Sequence, residues 1–331
     1  MRHRLFLVAV VILVVLVGLA VARLLFPTSP FTWPEIQGQV GVFNNNALPD
    51  VRAAGKHGIG LDQMSYPYQV GNVPAKMAAD GLHMLDESFW DYISQACQIS
   101  FKTHQRCVIS PGLERRIERE TRDHLARIAR QSAVAGFWVL DDYPGGDVRH
   151  TLDRIHVLVT QANRKAGVNR PMICGFTGNL DYRSGPHARW QSIDGPFKQA
   201  MANFTPRGCD MVALYIYGES PWFSVHSVDW TMHRVLPYEK AYLRRRGWNI
   251  KREPLVGIPQ AFTPLHAGGV DWAPETGSAL ATQVTAFCKG GASAILAYAW
   301  RDHNPGRGEL GNDPELRAGL EAGMENCRSD W

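Results

Sequence analysis

The stretch "GFWVLDDYPGG", residues 136–146, runs four apolar residues, Phe137 to Leu140, into adjacent carboxylates at Asp141 and Asp142 and then breaks at Pro144 and two glycines. Two further acids follow apolar or aromatic runs, Glu219 after "YIYG" and Asp302 after "YAWR". Carboxylates in such positions suit acid–base chemistry, in which one acid keeps its proton through burial or a neighbouring charge while another stays ionised. Alternation along an extended strand sends neighbouring side chains to opposite faces, so at most one of Asp141 and Asp142 faces a common interior. Asp142 is the expected one, on the side of Trp138 and Leu140, with Glu219 or Asp302 as its partner. The structural alternative is that Asp142 caps the following chain and Asp141 pairs with a base such as Arg149.

The same positions elsewhere in the chain carry amides and aromatic rings. Asn44 follows "GQVGVF"; Asp62, Gln63 and Tyr66 follow "GIGL"; Tyr215 and Tyr217 close "DMVALYIY"; Gln260 and Phe262 close "PLVGIPQAF"; Tyr298, Trp300 and Arg301 close "SAILAYAWR". Amides and a guanidinium bond hydroxyls, and rings stack on the apolar face of a pyranose, so the set suits a sugar. We expect Asn44, Asp62, Gln63, Tyr66, Tyr215, Tyr217, Gln260, Trp300 and Arg301 to contact such a ligand.

These residues need a scaffold that gathers strand ends. The chain alternates short β-type runs with longer amphipathic segments, a rhythm of βα units around a parallel sheet. Eight strands are read at 38–43, 58–62, 106–110, 134–140, 171–176, 210–217, 254–260 and 293–300, and helices at 48–57, 113–133, 148–167, 238–247, 279–291 and 313–327. Segment 63–105 is read as a loop excursion with one helix. Eight βα units in a chain of this size predict an α/β fold, a (β/α)8 TIM barrel, with its site at the C-terminal ends of the strands. A doubly wound open sheet would carry a Gly-rich turn after the first strand, where this chain has Asn44, Asn45 and Asn46.

The 331 residues are 45% hydrophobic and 20% charged, with a net charge of +4 and no long basic run, so the composition is globular and gives no sign of nucleic-acid binding. "MRHR" followed by the uncharged apolar run Leu5 to Ala22 is long enough to span a bilayer. Residues 1–26 are therefore expected to be a signal anchor or a signal peptide, 27–37 a linker and 38–331 the barrel. The barrel is then membrane-anchored and extracytoplasmic, or secreted, with the membrane as a partner through the N-terminal helix. In that compartment six cysteines permit disulfides. Cys97–Cys107 is expected to pair, Cys288 and Cys327 are placed to meet, and Cys174 and Cys209 read as strand core. No metal or cofactor is expected: the histidines fall mostly in helices and loops without ligand spacing, and no G-x-S-x-G elbow is present.

On strand rhythm over residues 38–327, and on "GFWVLDDYP", the chain resembles the superfamily of secreted (β/α)8 glycoside hydrolases. That resemblance implies hydrolysis of a polysaccharide by carboxylate chemistry, with Asp142 in the proton-donor position after the fourth strand. Many such families carry Glu there, and the largest retaining group carries a nucleophilic Glu ending strand seven, where this chain has Gln260. The Tyr-bearing sixth strand and Trp300 after the eighth are similar to chitinase-like barrels. The alternative expectation is a catalytically inactive barrel that binds glycans at the cell surface.

Overall fold

The computed structural model describes residues 33–44, 48–64, 73–96, 107–141, 146–177, 201–217, 227–263, 266–267, 270–271, 275–301, 308–328 and 331. Its centre is a closed barrel of eight parallel strands: β1 (Val40–Asn44), β2 (Leu61–Met64), β3 (His83–Asp86), β5 (Val134–Leu140), β7 (Met172–Thr177), β8 (Met211–Ile216), β9 (Leu255–Pro259) and β12 (Ala292–Arg301). Strand β12 closes the ring on β1, with Val40 opposite Ile295 and Val42 opposite Ala297. The remaining strands, β4 (Cys107–Val108), β6 (Gly146–Asp147), β10 (His266–Ala267) and β11 (Val270–Asp271), form two small two-stranded sheets.

The third barrel strand is not the expected one. "RCVIS" contributes only Cys107–Val108, paired with Gly146–Asp147 outside the barrel. Its place is taken by the four residues "HMLD" of β3, between β2 and β5. Among its described residues segment 63–105 accordingly holds two helices, α2 (Val73–Ala79) and α3 (Ser88–Ala96), around that strand. Four residues are too few to display an alternation in sequence, yet with partners on both sides they bury Met84, Leu85 and Asp86.

The helices follow their local signals. Helix α1 (Leu48–Lys56) is short, as the first connection requires. Helix α4 (Pro111–Ile128) starts where the Ser110 hydroxyl accepts the Leu113 N–H and Pro111 occupies the first turn, and it buries the stripe Ile117, Thr121, His124, Leu125 and Ile128. Helix α5 (Arg149–Ala166) stops at Gly167, whose φ of 72° is left-handed. Helix α6 (Val228–Arg245) is longer than the 238–247 expected. Ser227 caps it, and it runs through Pro237 because its buried face continues on both sides of the proline, from Val228 to Leu243. Helices α7 (Gly277–Lys289) and α8 (Pro314–Cys327) lie as expected.

Two apolar layers result, one between strands and helices and one inside the barrel. The chain enters through the second. Trp33 is 2% and Ile36 0% exposed within the lumen cluster, and the Gly38 N–H bonds the Ser293 carbonyl at 2.7 Å. Residues 33–37 therefore plug the N-terminal ends of the strands, and one compact unit runs from Trp33 to Trp331. Among the described residues no helix is long and apolar enough to cross a membrane; Leu5–Ala22 lies outside them.

Disulfides join Cys288 to Cys327, as expected, and Cys174 to Cys209, where core thiols were expected. Cys174 points outward from β7, and Cys209 just before β8 meets it because the two strands are neighbours in the barrel. Cys97 lies outside the described residues.

Candidate functional site

The upper half of the lumen, at the C-terminal ends of the strands, is aromatic. Phe43 of β1 lies 5.6 Å from Trp138, 5.7 Å from Tyr215 and 5.1 Å from Tyr298, centroid to centroid. Tyr217 continues the set toward Phe262 at 5.5 Å and Tyr298 at 6.2 Å. Edge-on contacts dominate, with Phe43–Trp138, Tyr215–Tyr217 and Tyr217–Phe262 all near 90°. Tyr298 is partly exposed, whereas Trp138 is wholly buried.

Among the described residues one carboxylate, Asp141, projects into this ring, and a strand irregularity puts it there. Strand β5 pairs with β7 as Trp138↔Ile173 and then Leu140↔Cys174, so Val139 is an extra residue. Trp138 and Ile173 belong to the lumen cluster; Val139, Leu140 and Cys174 belong to the outer layer. The parity that favoured Asp142 assumed Trp138 and Leu140 on one side, and the bulge separates them. Asp141, one residue past Leu140, therefore joins the lumen side, where the Tyr215 hydroxyl donates a hydrogen bond to its Oδ1. Burial pushes its pKa above the ordinary carboxylate value, a rise offset in part by that hydrogen bond and by Trp138. An acid so placed retains its proton to higher pH than a solvated one, and Tyr215 is ready to steady the carboxylate once the proton has gone.

Other expected site residues are distributed differently. Tyr215 and Tyr217 line the lumen, 4% and 7% exposed. Gln260 is wholly buried: its backbone N–H bonds Gln283 Oε1 at 3.1 Å and its side-chain amide donates to the Phe262 carbonyl at 3.3 Å. Asp62 stands in register with Val42 and Met84, both members of the outer layer, so it lies behind the sheet instead of at the mouth. Trp300 also packs in the outer layer, 5.7 Å from the His57 ring, because both Tyr298 and Ala299 take lumen positions before it. Arg301 is exposed and pairs with Asp50 of α1 at 3.2 Å. Asn44 ends β1 opposite Arg301, and Gln63 holds the register position between Phe43 and Leu85. Asp142, Tyr66, Glu219 and Asp302 lie outside the described residues. Phe43 and Tyr298 were not among the expected contacts; two-residue alternation from Gly41 and Leu296 points to both.

Away from the lumen, Asp86 accepts the His124 Nε2 contact at 2.6 Å in a buried pair, next to Asp91, whose pKa is pushed up to about 6 by burial and by the charge of Asp86. Among the described residues no cluster of three or more His, Cys, Asp or Glu side chains is arranged to hold a metal ion.

No protein-family model matches the chain, and no curated protein matches it. Solved structures do. A β-glucuronidase from Lactobacillus rhamnosus superposes with a TM-score of 0.56 at 13% identity, over 88% of this chain and 50% of that one. A β-glucuronidase from Ruminococcus gnavus gives 0.55 at 11% identity, over 88% and 51%. The same enzyme in complex with uronic isofagomine gives 0.53 at 10% identity. The chain spans about half the length of these proteins, and at such identity the likeness is one of fold, a TIM barrel.

Proposed function

We propose that this barrel is an extracytoplasmic glycoside hydrolase that cleaves a polysaccharide by carboxylate chemistry, with Asp141 as general acid. The observation that carries the reading is Asp141 itself, a carboxyl with a raised pKa, held by Tyr215 at the strand-end mouth of a lumen walled by aromatic rings. The Tyr215 hydroxyl donates to Oδ1 of that carboxyl. Protonated Asp141 donates to the departing glycosidic oxygen, and the new carboxylate is stabilised by the Tyr215 hydroxyl. Tyr217 and Tyr298 offer ring faces and hydroxyls to the sugar. The partner carboxylate is assigned to Glu219 or Asp302; its separation from Asp141 sets retention or inversion. The extracytoplasmic location is supported by the apolar run Leu5–Ala22 as an anchor or signal and by two disulfides.

A second reading, a glycan-binding barrel without turnover, is favoured by one feature: the strand-seven end carries Gln260, wholly buried, where an acid would be needed. Full-length protein assayed for binding and turnover on a panel of neutral and acidic polysaccharides separates the two. Under the first reading Asp141→Asn loses roughly 10²–10⁴-fold in turnover while binding persists. Binding without turnover by the unaltered protein establishes the second reading, and neither binding nor turnover removes both.

A further inference from the structure

All eight barrel strands are parallel, so the helices return the chain to one common end, and the helix C-termini share a face with the turns that lead into the strands. That face is basic. Lys56, Arg127, Arg164, Lys165, Arg244 and Lys289 are exposed in the last turns of their helices, where the helix dipole favours a cation. The dipole does not account for Arg130, Arg207, Lys251 and Arg252, which are exposed in the turns beyond the helices. Acids at this end are fewer: Asp80 pairs with Arg52, Asp210 with His156, Glu253 with Arg252 and Glu325 with Arg328, while Glu35 beside Trp33 and Glu321 of α8 are exposed.

Two grooves on the barrel wall combine this charge with apolar surface. One of about 520 Å³ lies between α4 and α5, with Leu125, Ala129 and Leu158 beside Arg122, Arg130 and Lys165. Another of about 520 Å³ lies between α6 and α7, with Leu236 and Ala286 beside Lys240, Arg244 and Lys289. Phosphate on the bases and glycerol or acyl carbon on the apolar wall is the complement of both.

The path of the chain selects the occupant. It joins the barrel at this face through Trp33, and only the ten residues Arg23–Thr32 separate Trp33 from the apolar run ending at Ala22. Fully extended, ten residues reach at most roughly 35 Å. With Leu5–Ala22 in a bilayer, the linker keeps Trp33 within that reach of the lipid surface. We propose that the strand-start face docks on an anionic phospholipid bilayer. The proposal rests on the anchor reading of Leu5–Ala22 and is independent of glycan turnover.

The test uses full-length protein reconstituted into vesicles of phosphatidylcholine alone or mixed with phosphatidylglycerol. Lysine acetylation by a water-soluble reagent, read by peptide mass spectrometry, reports the accessibility of Lys165, Lys251 and Lys289. Docking slows their labelling several-fold on the anionic vesicles only, and high salt restores it. The double variant Arg130→Glu with Arg244→Glu keeps the reporter lysines and removes the protection, since each base near such a surface is worth roughly fivefold in association. Equal labelling on the two lipid compositions overturns the proposal, as does protection that persists in high salt or in the double variant. Carbonate extraction from the phosphatidylcholine vesicles reads the anchor separately: release refutes the anchor and the proposal with it, whereas retention with equal labelling refutes docking alone.

Discussion

Tyr215 on β8 reaches across β7 to donate its hydroxyl hydrogen to Asp141 at the end of β5. The hydrogen bond favours the carboxylate form, so it holds the Asp141 pKa below where burial alone would take it. A general acid works in its protonated form and loses activity as pH rises through its pKa. Tyr215→Phe is therefore expected to move the high-pH limb of the kcat profile upward while lowering kcat. An unmoved limb would separate Asp141 from proton donation.

That reach depends on Gly175, the residue of β7 between the two strands. A β-carbon there would stand 2.7 Å from Trp138 Cζ2 and 3.1 Å from Tyr215 Cε2. Gly175→Ala must displace one ring or the other, at a cost of about 1–3 kcal/mol. Urea unfolding reads the loss of stability, and the pH profile should shift in the direction of Tyr215→Phe.

Glu239 on α6 is wholly buried, and neither carboxyl oxygen has a hydrogen-bond partner among the described residues. Desolvation raises its pKa well above the ordinary 4.5. The folded state thus keeps a proton that the unfolded state releases above pH 4.5, and stability falls as pH rises from that value toward the folded pKa. Glu239→Leu is expected to gain about 1–3 kcal/mol at neutral pH and to flatten this dependence. Glu239→Gln should flatten the dependence with a smaller gain, because an unpartnered amide stays buried. Urea titrations across a pH series check both; a pH dependence equal to that of the unaltered chain would place the carboxylate in water.

The two disulfides among the described residues close sequence separations of 35 and 39 residues. Each is expected to contribute roughly 2–5 kcal/mol. Alkylation of unfolded, unreduced protein should leave Cys174, Cys209, Cys288 and Cys327 unlabelled by mass spectrometry, and the variant with Ala at 174 and 209 should unfold at lower urea. Labelled thiols at these positions in exported protein would refute the pairing.

Much of the architecture was legible because its signals are local. The stop at Gly167 and the apolar stripes placed most helices within a few residues. The closing number of strands was also legible, though one of the eight was misassigned, since "RCVIS" has the composition of a strand and "HMLD" is too short to show a pattern. Pro237 hid half of α6, whose continuity comes from packing on both sides of the proline.

Of the candidate site, Asp141, Tyr215 and Tyr217 follow from reading what ends each apolar run, while Trp300 and Asp62 do not lie in the lumen. The amino-acid sequence alone determined the repeat of strand and helix, the greasy run into two acids and the apolar N-terminal segment, because periodicity and turn chemistry need only near neighbours. Tertiary structure decided that Asp141 enters the lumen, which cysteines meet and where Trp300 points. Those outcomes depend on the register between β5 and β7, the adjacency of β7 and β8, and the turn of β12 at Tyr298 and Ala299. Each is a relation between residues far apart in the chain, and pairing across the closed barrel is what sets it.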